Sequence, residues 1–461
     1  MESEKMIVAQ QLVDAYLERA RRAQLVFEKM RQEKVDEAVK VIGKVIVENA
    51  EMLAEFAVRE TGMGNYKDKL AKHTNKPPLI YNHLKGKKSR GILERDEETG
   101  ITTVAKPVGV VGAITPTTNP VVTSMSNSMF SLKCGNAIIL APHPRAKGCS
   151  AKAVELMRGE LKKISVPEDL IQVIEEPTME ATSALMKAVD VIIATGGMGM
   201  VKAVYSSGKP ALGVGAGNVQ TIIDRDVDLE EAVPKIIVGR IFDNGILCTA
   251  DQTAICPEEK FDEMLNLFEK NGAWVVRDQE EANKFREAMF PEGGTISRHV
   301  VGQSAQDVAK LAGVEIPEDV QLIVLVAGED IGTDVLGREK MCPCLTAYHY
   351  KEFDEAIDIA SANLEREGKG HSVSIHSHTC EHIERVAEEL SVSRFVVNQV
   401  VAIAAAGSYN NSLAPTNTLG CGSWGNNSLS ENLDYKHLMN VSRIAYFLPD
   451  AHIPTPEEVW E

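Results

Sequence analysis

The sequence predicts an α/β fold with two successive domains, each built around a parallel sheet. The chain has 461 residues, about three times the length of a typical domain of about 150 residues. Short apolar runs alternate with segments of helical periodicity, and strands separated by helices of this length pair in parallel. We therefore predict a doubly wound first domain over residues 1–228, a second α/β domain over 229–405, and a C-terminal segment over 406–461 that folds back on the first domain.

The N-terminal part is predicted to be helical, because apolar residues recur at three- and four-residue spacing over residues 5–60. An alternative is that Met1–Arg19 is a short peptide that docks the protein to an assembly, although no flexible linker follows it.

Residues 88–107 contain two β-rich runs around an Asp-Glu-Glu-Thr-Gly turn, which predicts a hairpin. Since projecting hairpins often pair between subunits, we expect a homodimer or homotetramer.

Apolar runs define the strands expected in each domain. The runs of the first domain are PVGVVGAITP, NAIILAP, IQVIEE, VDVIIATGG and VQTIIDRD, and those of the second are QTAICP, AWVVRD, VQLIVLVAG, LTAYHY, HSVSIHS and RFVVNQV. Ligands of doubly wound sheets bind beyond the carboxyl ends of the strands. A cleft between the two domains is therefore the expected site.

Composition argues against several classes of function. Lys and Arg number 49 against 66 Asp and Glu, and the net charge of −17 repels nucleic acids and anionic membranes. No apolar run approaches the about 18 residues that span a bilayer, and the first residues lack the features of a secretory signal. The eight cysteines lack the dense spacing of a disulfide framework, so we expect reduced thiols in a cytoplasmic protein.

Two glycine-rich segments and one cysteine have patterns typical of a ligand or catalytic site. Thr195–Val201 follows a strand and opens a helix, where backbone amides bind phosphate, although a tight turn needs glycine for steric reasons alone. Pro210–Asn218 indicates either close approach of the backbone to a ligand or a flexible loop. Cys248 follows an Asn-Gly turn on a loop near the domain junction, where it is either a reactive thiol or a small buried apolar residue.

Two other segments resemble metal ligands only superficially. They are Cys342-Pro-Cys344 and the His-x-His-x-Cys-x-His run over residues 376–382. Strong zinc sites pair two close-spaced doublets around a preformed turn, and that pattern does not occur here. We therefore expect no metal.

Five motifs, in their order along the chain, resemble those of the CoA-acylating branch of the aldehyde dehydrogenase superfamily. They are APHPRAK, ATGGMGMVKAVYSSGKPALGVGAGN, FDNGILCTADQ, EKMCP and LGCGSWGNNSLSENLDYKHLMN. The resemblance extends from about Ala20 over nearly the whole chain, and it includes acylating succinate-semialdehyde dehydrogenases and the aldehyde half of bifunctional aldehyde/alcohol dehydrogenases. It implies an aldehyde dehydrogenase-like fold with a cofactor-binding domain over 1–228, a catalytic domain over 229–405 and an oligomerisation hairpin near 88–107.

The resemblance implies that Cys248 is the nucleophile and that Asn119 donates to the oxyanion formed by its attack on an aldehyde. Hydrolytic relatives carry a glutamate in the stretch that matches Val214–Asn218, which contains no carboxylate here. Activated water is then missing, so coenzyme A is the expected acceptor of the acyl group. The expected reaction is the reversible conversion of aldehyde, CoA and NAD(P)+ to acyl-CoA and NAD(P)H.

The resemblance also implies the cofactor site. Glu339 matches the glutamate that holds the nicotinamide ribose, with a surface ion pair as the alternative. No acidic residue near His143 repels a 2′-phosphate, so we expect NADP to bind, with NAD left open. Arg145 and Lys147 are candidates for the phosphates of CoA or are solvated charges. The full set of predicted cofactor-binding residues is Thr115, Pro116, His143, Arg145, Thr195, Gly196, Gly197, Gly215 and Glu339.

The substrate is predicted from Arg240, whose guanidinium would bind a carboxylate or sulfonate near the catalytic loop. A short anionic aldehyde, such as succinate semialdehyde or sulfoacetaldehyde, is therefore expected. The alternatives are acetaldehyde or propionaldehyde, with Arg240 interacting only with its helix dipole. His371 is a second substrate-site candidate, as a pocket wall.

Two alternatives to the CoA-acylating function remain. One is an acyl-phosphate reductase of the same superfamily, which needs no CoA, and the other is a non-catalytic, shell-associated protein.

Overall fold

The computed structural model describes residues 2–291, 294–328 and 330–461. Its strands, in chain order, are β1 (Gly91–Asp96), β2 (Ile101–Pro107), β3 (Val110–Thr115), β4 (Ala137–Pro142), β5 (Ile171–Val173), β6 (Val191–Thr195), β7 (Ala211–Val214), β8 (Gln220–Ile223), β9 (Thr253–Pro257), β10 (Ala273–Val276), β11 (Leu322–Val326), β12 (Cys344–Tyr350), β13 (Val373–His376), β14 (Phe395–Val397) and β15 (Met439–Ala445).

The helices occur between most of these strands and at both ends of the chain. They are α1 (Glu2–Phe27), α2 (Gln32–Glu48), α3 (Ala50–Thr61), α4 (Tyr66–Leu84), α5 (Pro120–Lys133), α6 (Lys147–Lys163), α7 (Met179–Ala188), α8 (Met198–Tyr205), α9 (Leu229–Ile241), α10 (Glu258–Lys270), α11 (Gln279–Met289), α12 (Ala305–Leu311), α13 (Phe353–Arg366), α14 (Cys380–Glu389), α15 (Val401–Ala404) and α16 (Pro456–Trp460). Within the described ranges, none combines the length and the apolar character needed to cross a bilayer.

The first sheet is parallel and has the strand order β5-β4-β3-β6-β7. Every residue of β3 and β4 is buried, as expected for strands that are covered on both faces. Helices α1, α5, α6, α7 and α8 pack on this sheet, and their apolar faces join its strands in one core. The prediction of a doubly wound sheet in the first part of the chain is confirmed.

The second sheet is also parallel, with the order β10-β11-β12-β9-β8-β13-β14. It contains all the strands predicted for the second domain, and in addition β8, which the sequence pattern assigned to the first sheet. That assignment was wrong: β8 lies between β9 and β13. The chain therefore crosses from one sheet to the other between Val214 and Gln220. A short apolar run carries no signal of which sheet it joins, because that is decided by partners distant in sequence.

The third sheet is antiparallel, with the order β1-β2-β15. Strands β1 and β2 form the hairpin predicted over residues 88–107, and the C-terminal strand β15 pairs with β2 along its whole length. The last part of the chain thus returns to the hairpin through β15. Residues after Ala445 leave several large apolar side chains exposed, among them Tyr446 and Phe447.

Candidate active site

The candidate site lies where the carboxyl edge of the first sheet meets the amino edge of the second. Strand β7 ends at Val214, and after a turn of five residues β8 begins in the second sheet. A bridge between Val219 and Asp251 joins this turn to the loop that carries Cys248. The candidate site therefore lies between the two sheets.

The loop that carries Cys248 begins with a tight reversal of the chain after α9. Asp243, Asn244 and Gly245 all have positive φ, at 52°, 55° and 69°. Such a conformation is costly for residues other than glycine, so the surrounding structure must hold it in place. At Gly245 a β-carbon would lie 2.7 Å from the carbonyl oxygen of Cys342, so this position requires glycine sterically as well.

Asp243 fixes this reversal through two lysines of α4. Its buried carboxylate accepts hydrogen bonds from Lys69 Nζ at 2.7 Å and from Lys72 Nζ. Burial by itself raises the pKa of Asp243, but Lys72 and Lys69 outweigh that effect, and the pKa lies below its ordinary value. Burial also lowers the pKa of Lys69 to about 8. Two cations thus share one carboxylate.

The turn between the sheets lies directly against the candidate nucleophile. A β-carbon on Gly217 would stand 1.9 Å from the carbonyl oxygen of Cys248, so only glycine fits there. This turn is the Val214–Asn218 stretch that the resemblance matches to the glutamate-bearing segment of hydrolytic relatives. It holds no carboxylate, and its Asn218 side chain donates to the Gly337 carbonyl at 2.8 Å.

Cys248 and Asn119 line a common cavity of about 160 Å³. Most of the wall is apolar, contributed by Ala71, Leu79, Val122, Phe242, Leu247, Ala402, Ile403, Ala406 and Leu419. Lys72 and Lys76 are the cations of this wall. An apolar cavity with a few convergent polar groups has the composition of a small-molecule site.

Asn119 is oriented by Lys72. The Lys72 Nζ donates to Asn119 Oδ1 at 2.6 Å, so the amide oxygen is engaged on that side. The Nδ2 group makes only a long contact of 3.4 Å with Thr118 Oγ1. Its N–H groups are therefore available to an oxyanion, as the resemblance implied for this residue.

The surroundings of Cys248 favour the neutral form of its thiol. Burial raises its pKa to about 12, the nearby Glu339 and Cys421 add to that rise, and Arg394 opposes it. Glu339 itself accepts a hydrogen bond from the Gly217 amide, and burial together with Glu367 raises its pKa to about 8. Since Glu339 is only 7% exposed, the alternative of a surface ion pair does not hold.

The carboxyl edge of the first sheet has features that fit a dinucleotide. Thr115 ends β3, and its buried hydroxyl has no hydrogen-bond partner within the described part of the chain. Gly197 precedes α8, is exposed, and has no atom within 4 Å of its β-carbon position. Thr195 Oγ1 contacts Thr418 Oγ1 at 3.0 Å, and the Gly196 amide donates to Val214 at 3.3 Å.

The remaining predicted cofactor residues lie along the same edge. Pro116 follows β3, Gly215 follows β7, and His143 and Arg145 follow β4, where both are exposed. The Arg145 amide donates to His143 Nδ1 at 3.1 Å, which caps a short turn. Burial and the charge of Arg145 lower the pKa of His143. Lys147 forms an ion pair with the exposed Glu176, so it is accounted for as a surface charge.

Arg240 does not line the cavity, contrary to the sequence-based expectation. Its side chain is fully buried and donates to the carbonyl oxygens of Asp251, at 3.0 Å, and of Cys342. The guanidinium thus ties the catalytic loop to the segment before β12. Helical periodicity placed Arg240 one turn before the loop but did not show which way it points.

His371 is also buried outside the cavity wall that holds Cys248. Neither ring nitrogen has a hydrogen-bond partner among the described residues, and burial lowers its pKa well below the ordinary value. Its carbonyl oxygen accepts from Arg394 at 2.7 Å. Within the described ranges, no three His, Cys, Asp or Glu side chains lie close enough together to hold a metal ion.

Sequence reasoning missed Lys72, Lys76 and Arg394. The two lysines stand one helical turn apart in a Lys-rich segment, DKLAKHTNK, where such residues are normally solvent-exposed. Lys76 instead faces the cavity, donates to the Ala406 carbonyl at 2.7 Å, and has its pKa lowered by burial to about 7.

Comparisons with known proteins agree with this geometry. The model of the aldehyde dehydrogenase family matches residues 6–290. The chain is 52% identical to succinate-semialdehyde dehydrogenase (acetylating) of Clostridium kluyveri over 96% of this chain and 98% of that protein. It is 40% identical to sulfoacetaldehyde dehydrogenase of Acholeplasma sp over 96% of this chain and 93% of that protein.

Solved structures give the same result. An acetylating aldehyde dehydrogenase from Geobacillus thermoglucosidasius superposes with a TM-score of 0.93 at 37% identity, over 98% of this chain and 99% of that chain. Propionaldehyde dehydrogenase from Rhodopseudomonas palustris with bound propionyl-CoA superposes with a TM-score of 0.85 at 28% identity, over 94% of each chain. The chain therefore belongs to the aldehyde dehydrogenase family, and it has the fold of the acylating enzymes. The predictions of family and fold class are confirmed.

Proposed function

We propose that this protein is a CoA-acylating aldehyde dehydrogenase, which converts an aldehyde, CoA and NAD(P)+ reversibly to acyl-CoA and NAD(P)H. The observation that carries the proposal is the contact of Gly217 with Cys248. The turn that lies on the nucleophile, Val214–Asn218, offers no carboxylate to deprotonate water. The names of the relatives, acetylating and acylating enzymes, support the same reaction.

Each step is assigned to residues of this chain. The Cys248 thiolate attacks the aldehyde carbon, and Asn119 Nδ2 donates to the resulting oxyanion. Bound NAD(P)+ supplies the hydride acceptor. The acyl group remains on Cys248 as a thioester until the thiol of CoA displaces it, and in the absence of a base the thioester is slow to react with water.

For the cofactor we propose NADP, with NAD as the alternative. Thr115, Thr195 and the exposed turn at Gly197 would hold the dinucleotide, and Glu339 the nicotinamide ribose. His143 and Arg145 lie exposed after β4. Arg145 forms no ion pair with a described carboxylate, so its guanidinium would be free to bind a 2′-phosphate.

For the substrate we propose a short anionic aldehyde, the class to which succinate semialdehyde and sulfoacetaldehyde belong. The cavity wall carries Lys72 and Lys76, while one carboxylate, Asp243, is shared by Lys69 and Lys72. Lys76 lies outside these ion pairs, since its Nζ donates to the Ala406 carbonyl and no described carboxylate pairs with it. A carboxylate or sulfonate of the substrate would balance its charge, and in that role Lys76 replaces the predicted Arg240.

The test of the reaction is an assay of aldehyde-dependent nicotinamide reduction with CoA present. Cys248→Ala should abolish it, because no thioester can form, while the melting temperature stays close to that of the wild type. Cys256→Ala, in the buried strand β9, is the matched control and should keep its activity. Activity retained in Cys248→Ala would refute the assignment of the nucleophile. CoA-independent reduction of an acyl phosphate would favour the acyl-phosphate reductase.

A further inference from the structure

Arg394 is a buried cation two residues before Val396, which belongs to the apolar cluster that Cys248 packs against, and no described carboxylate pairs with it. Its side chain is 2% exposed. It donates to three neutral acceptors, the carbonyl of His371 at 2.7 Å, the hydroxyl of Ser372 at 3.1 Å and the amide oxygen of Asn432 at 3.2 Å. Burying a charge is costly unless an opposite charge compensates it. The structure therefore retains an unpaired charge at this place.

The position of Arg394 follows from strand geometry. Its carbonyl accepts from the Val373 amide at 2.9 Å, so it extends the pairing of β14 with β13. Alternate residues of a strand share one face, so Arg394 projects to the same side as Val396. Val396 and Leu419 belong to the buried cluster against which Cys248 packs.

Cys421 lies two residues after Leu419 and completes the surroundings of the thiol. Burial raises the pKa of the Cys421 thiol, and the charge of Arg394 opposes that rise. Glu339 and Cys421 raise the pKa of Cys248 and Arg394 lowers it, while Lys72 and Lys76 of α4 line the same cavity as the thiol. The guanidinium is the charge that lowers the pKa of Cys248 most, whereas Glu339 and Cys421 are acids that become negative and raise it.

We propose that Arg394 is a positioning residue, whose unpaired charge stabilises the thiolate of Cys248 before it attacks the aldehyde. The thiol proton passes to solvent, and the guanidinium keeps its own protons because arginine is not deprotonated in proteins. The inference rests on the proposed function in one respect, that Cys248 is the nucleophile.

The experiment measures alkylation of Cys248 by iodoacetamide as a function of pH, with the labelled peptide quantified by mass spectrometry. Arg394→Met should alkylate about tenfold more slowly at pH 8, which corresponds to a rise of about one pH unit in the midpoint. Arg394→Lys keeps the charge and should lie closer to the wild type. Arg90→Met is the control, because Arg90 donates to the Phe27 carbonyl and its charge acts on Cys134.

A second variant separates charge from packing. Arg394→Gln removes the charge but keeps an N–H donor for the acceptors of the guanidinium, so it should slow alkylation as Arg394→Met does. This variant tests the role of the charge if Arg394→Met does not fold. An unchanged pH midpoint in the charge-removing variant that folds overturns the proposal, whatever its melting temperature, since a purely structural role lowers stability without moving the midpoint.

Alkylation is measured without aldehyde, CoA or nicotinamide. A shifted midpoint in a protein that has no CoA-dependent activity would therefore refute the proposed function alone. An unshifted midpoint in an active enzyme would refute the role of Arg394 alone.

Discussion

Gly217 is a residue whose identity the candidate site fixes sterically. Its φ is not in the left-handed region, so the requirement for glycine is steric: a β-carbon there would lie 1.9 Å from the Cys248 carbonyl oxygen. The sequence indicated a glycine-rich turn here but left open whether a ligand or flexibility explained it. The turn packs its backbone against the main chain of Cys248, and the spacing of glycines in the sequence does not reveal that contact.

Gly217→Ala should displace the catalytic loop, because its methyl group would overlap the Cys248 carbonyl. We expect loss of most activity and a destabilisation of about 1–3 kcal/mol. Activity and urea unfolding measure the two effects. Gly159→Ala, in the interior of α6 with open space around its β-carbon position, should be neutral or slightly stabilising. A fully active Gly217→Ala enzyme would contradict the described contact.

Lys76→Met should discriminate against anionic aldehydes. We expect the KM for succinate semialdehyde to rise at least about tenfold, the loss of one charged hydrogen bond, while that for propionaldehyde changes little. Steady-state kinetics with both aldehydes measure this ratio. An equal effect on both aldehydes would show that the cation is structural and would leave the substrate class open.

At the level of elements, α4 and the reversal after α9 form one unit around Asp243. The sequence predicted helices over residues 5–60 and strands in both domains from their periodicity, and the structure confirms these. Helix α4 was not predicted, because it contains Pro77 and Pro78, which ordinarily end a helix. Its lysines were missed for that reason, since only a helix brings Lys69, Lys72 and Lys76 to one side.

Asp243→Asn should destabilise the protein by about 3–5 kcal/mol at neutral pH, because it leaves buried lysines without their anion. The pKa of Asp243 is depressed in the folded state, so its contribution is present above the ordinary carboxyl pKa and is lost as the pH falls through the folded value. The stability difference between wild type and variant should therefore narrow in acid. Denaturant unfolding at a series of pH values tests this, and a constant difference would argue against the ion cluster.

At the scale of the whole molecule, the two sheets and the hairpin were predictable, and their connection was not. Each apolar run identified a strand, but β8 was assigned to the first sheet, since pairing depends on residues far apart in sequence. Arg240 and Arg394 show the same limit for the site. Both arginines are buried. Arg240 is close to Cys248 in sequence and Arg394 is distant, and only the tertiary structure shows that Arg394 is the one whose charge favours the thiolate.

We propose that the third sheet and the C-terminal tail join subunits of a homo-oligomer. Tyr446 and Phe447, 57% and 88% exposed, extend the sheet beyond Ala445 with an apolar surface that a second copy would cover. Replacing both by aspartate should reduce the mass measured by light scattering. Replacing the exposed Met179 by aspartate, far along the chain on α7, should not. An unchanged mass in the double variant would place the interface elsewhere.

The central claim is that the acyl group waits on Cys248 for CoA because no base activates water beside it. The most direct measurement is product analysis of the purified enzyme with succinate semialdehyde and NADP+ or NAD+, with and without CoA. We predict acyl-CoA in proportion to the reduced nicotinamide, and a rate at least ~100-fold lower without CoA, the contribution of a missing general base. Free acid formed at an undiminished rate without CoA would contradict the account.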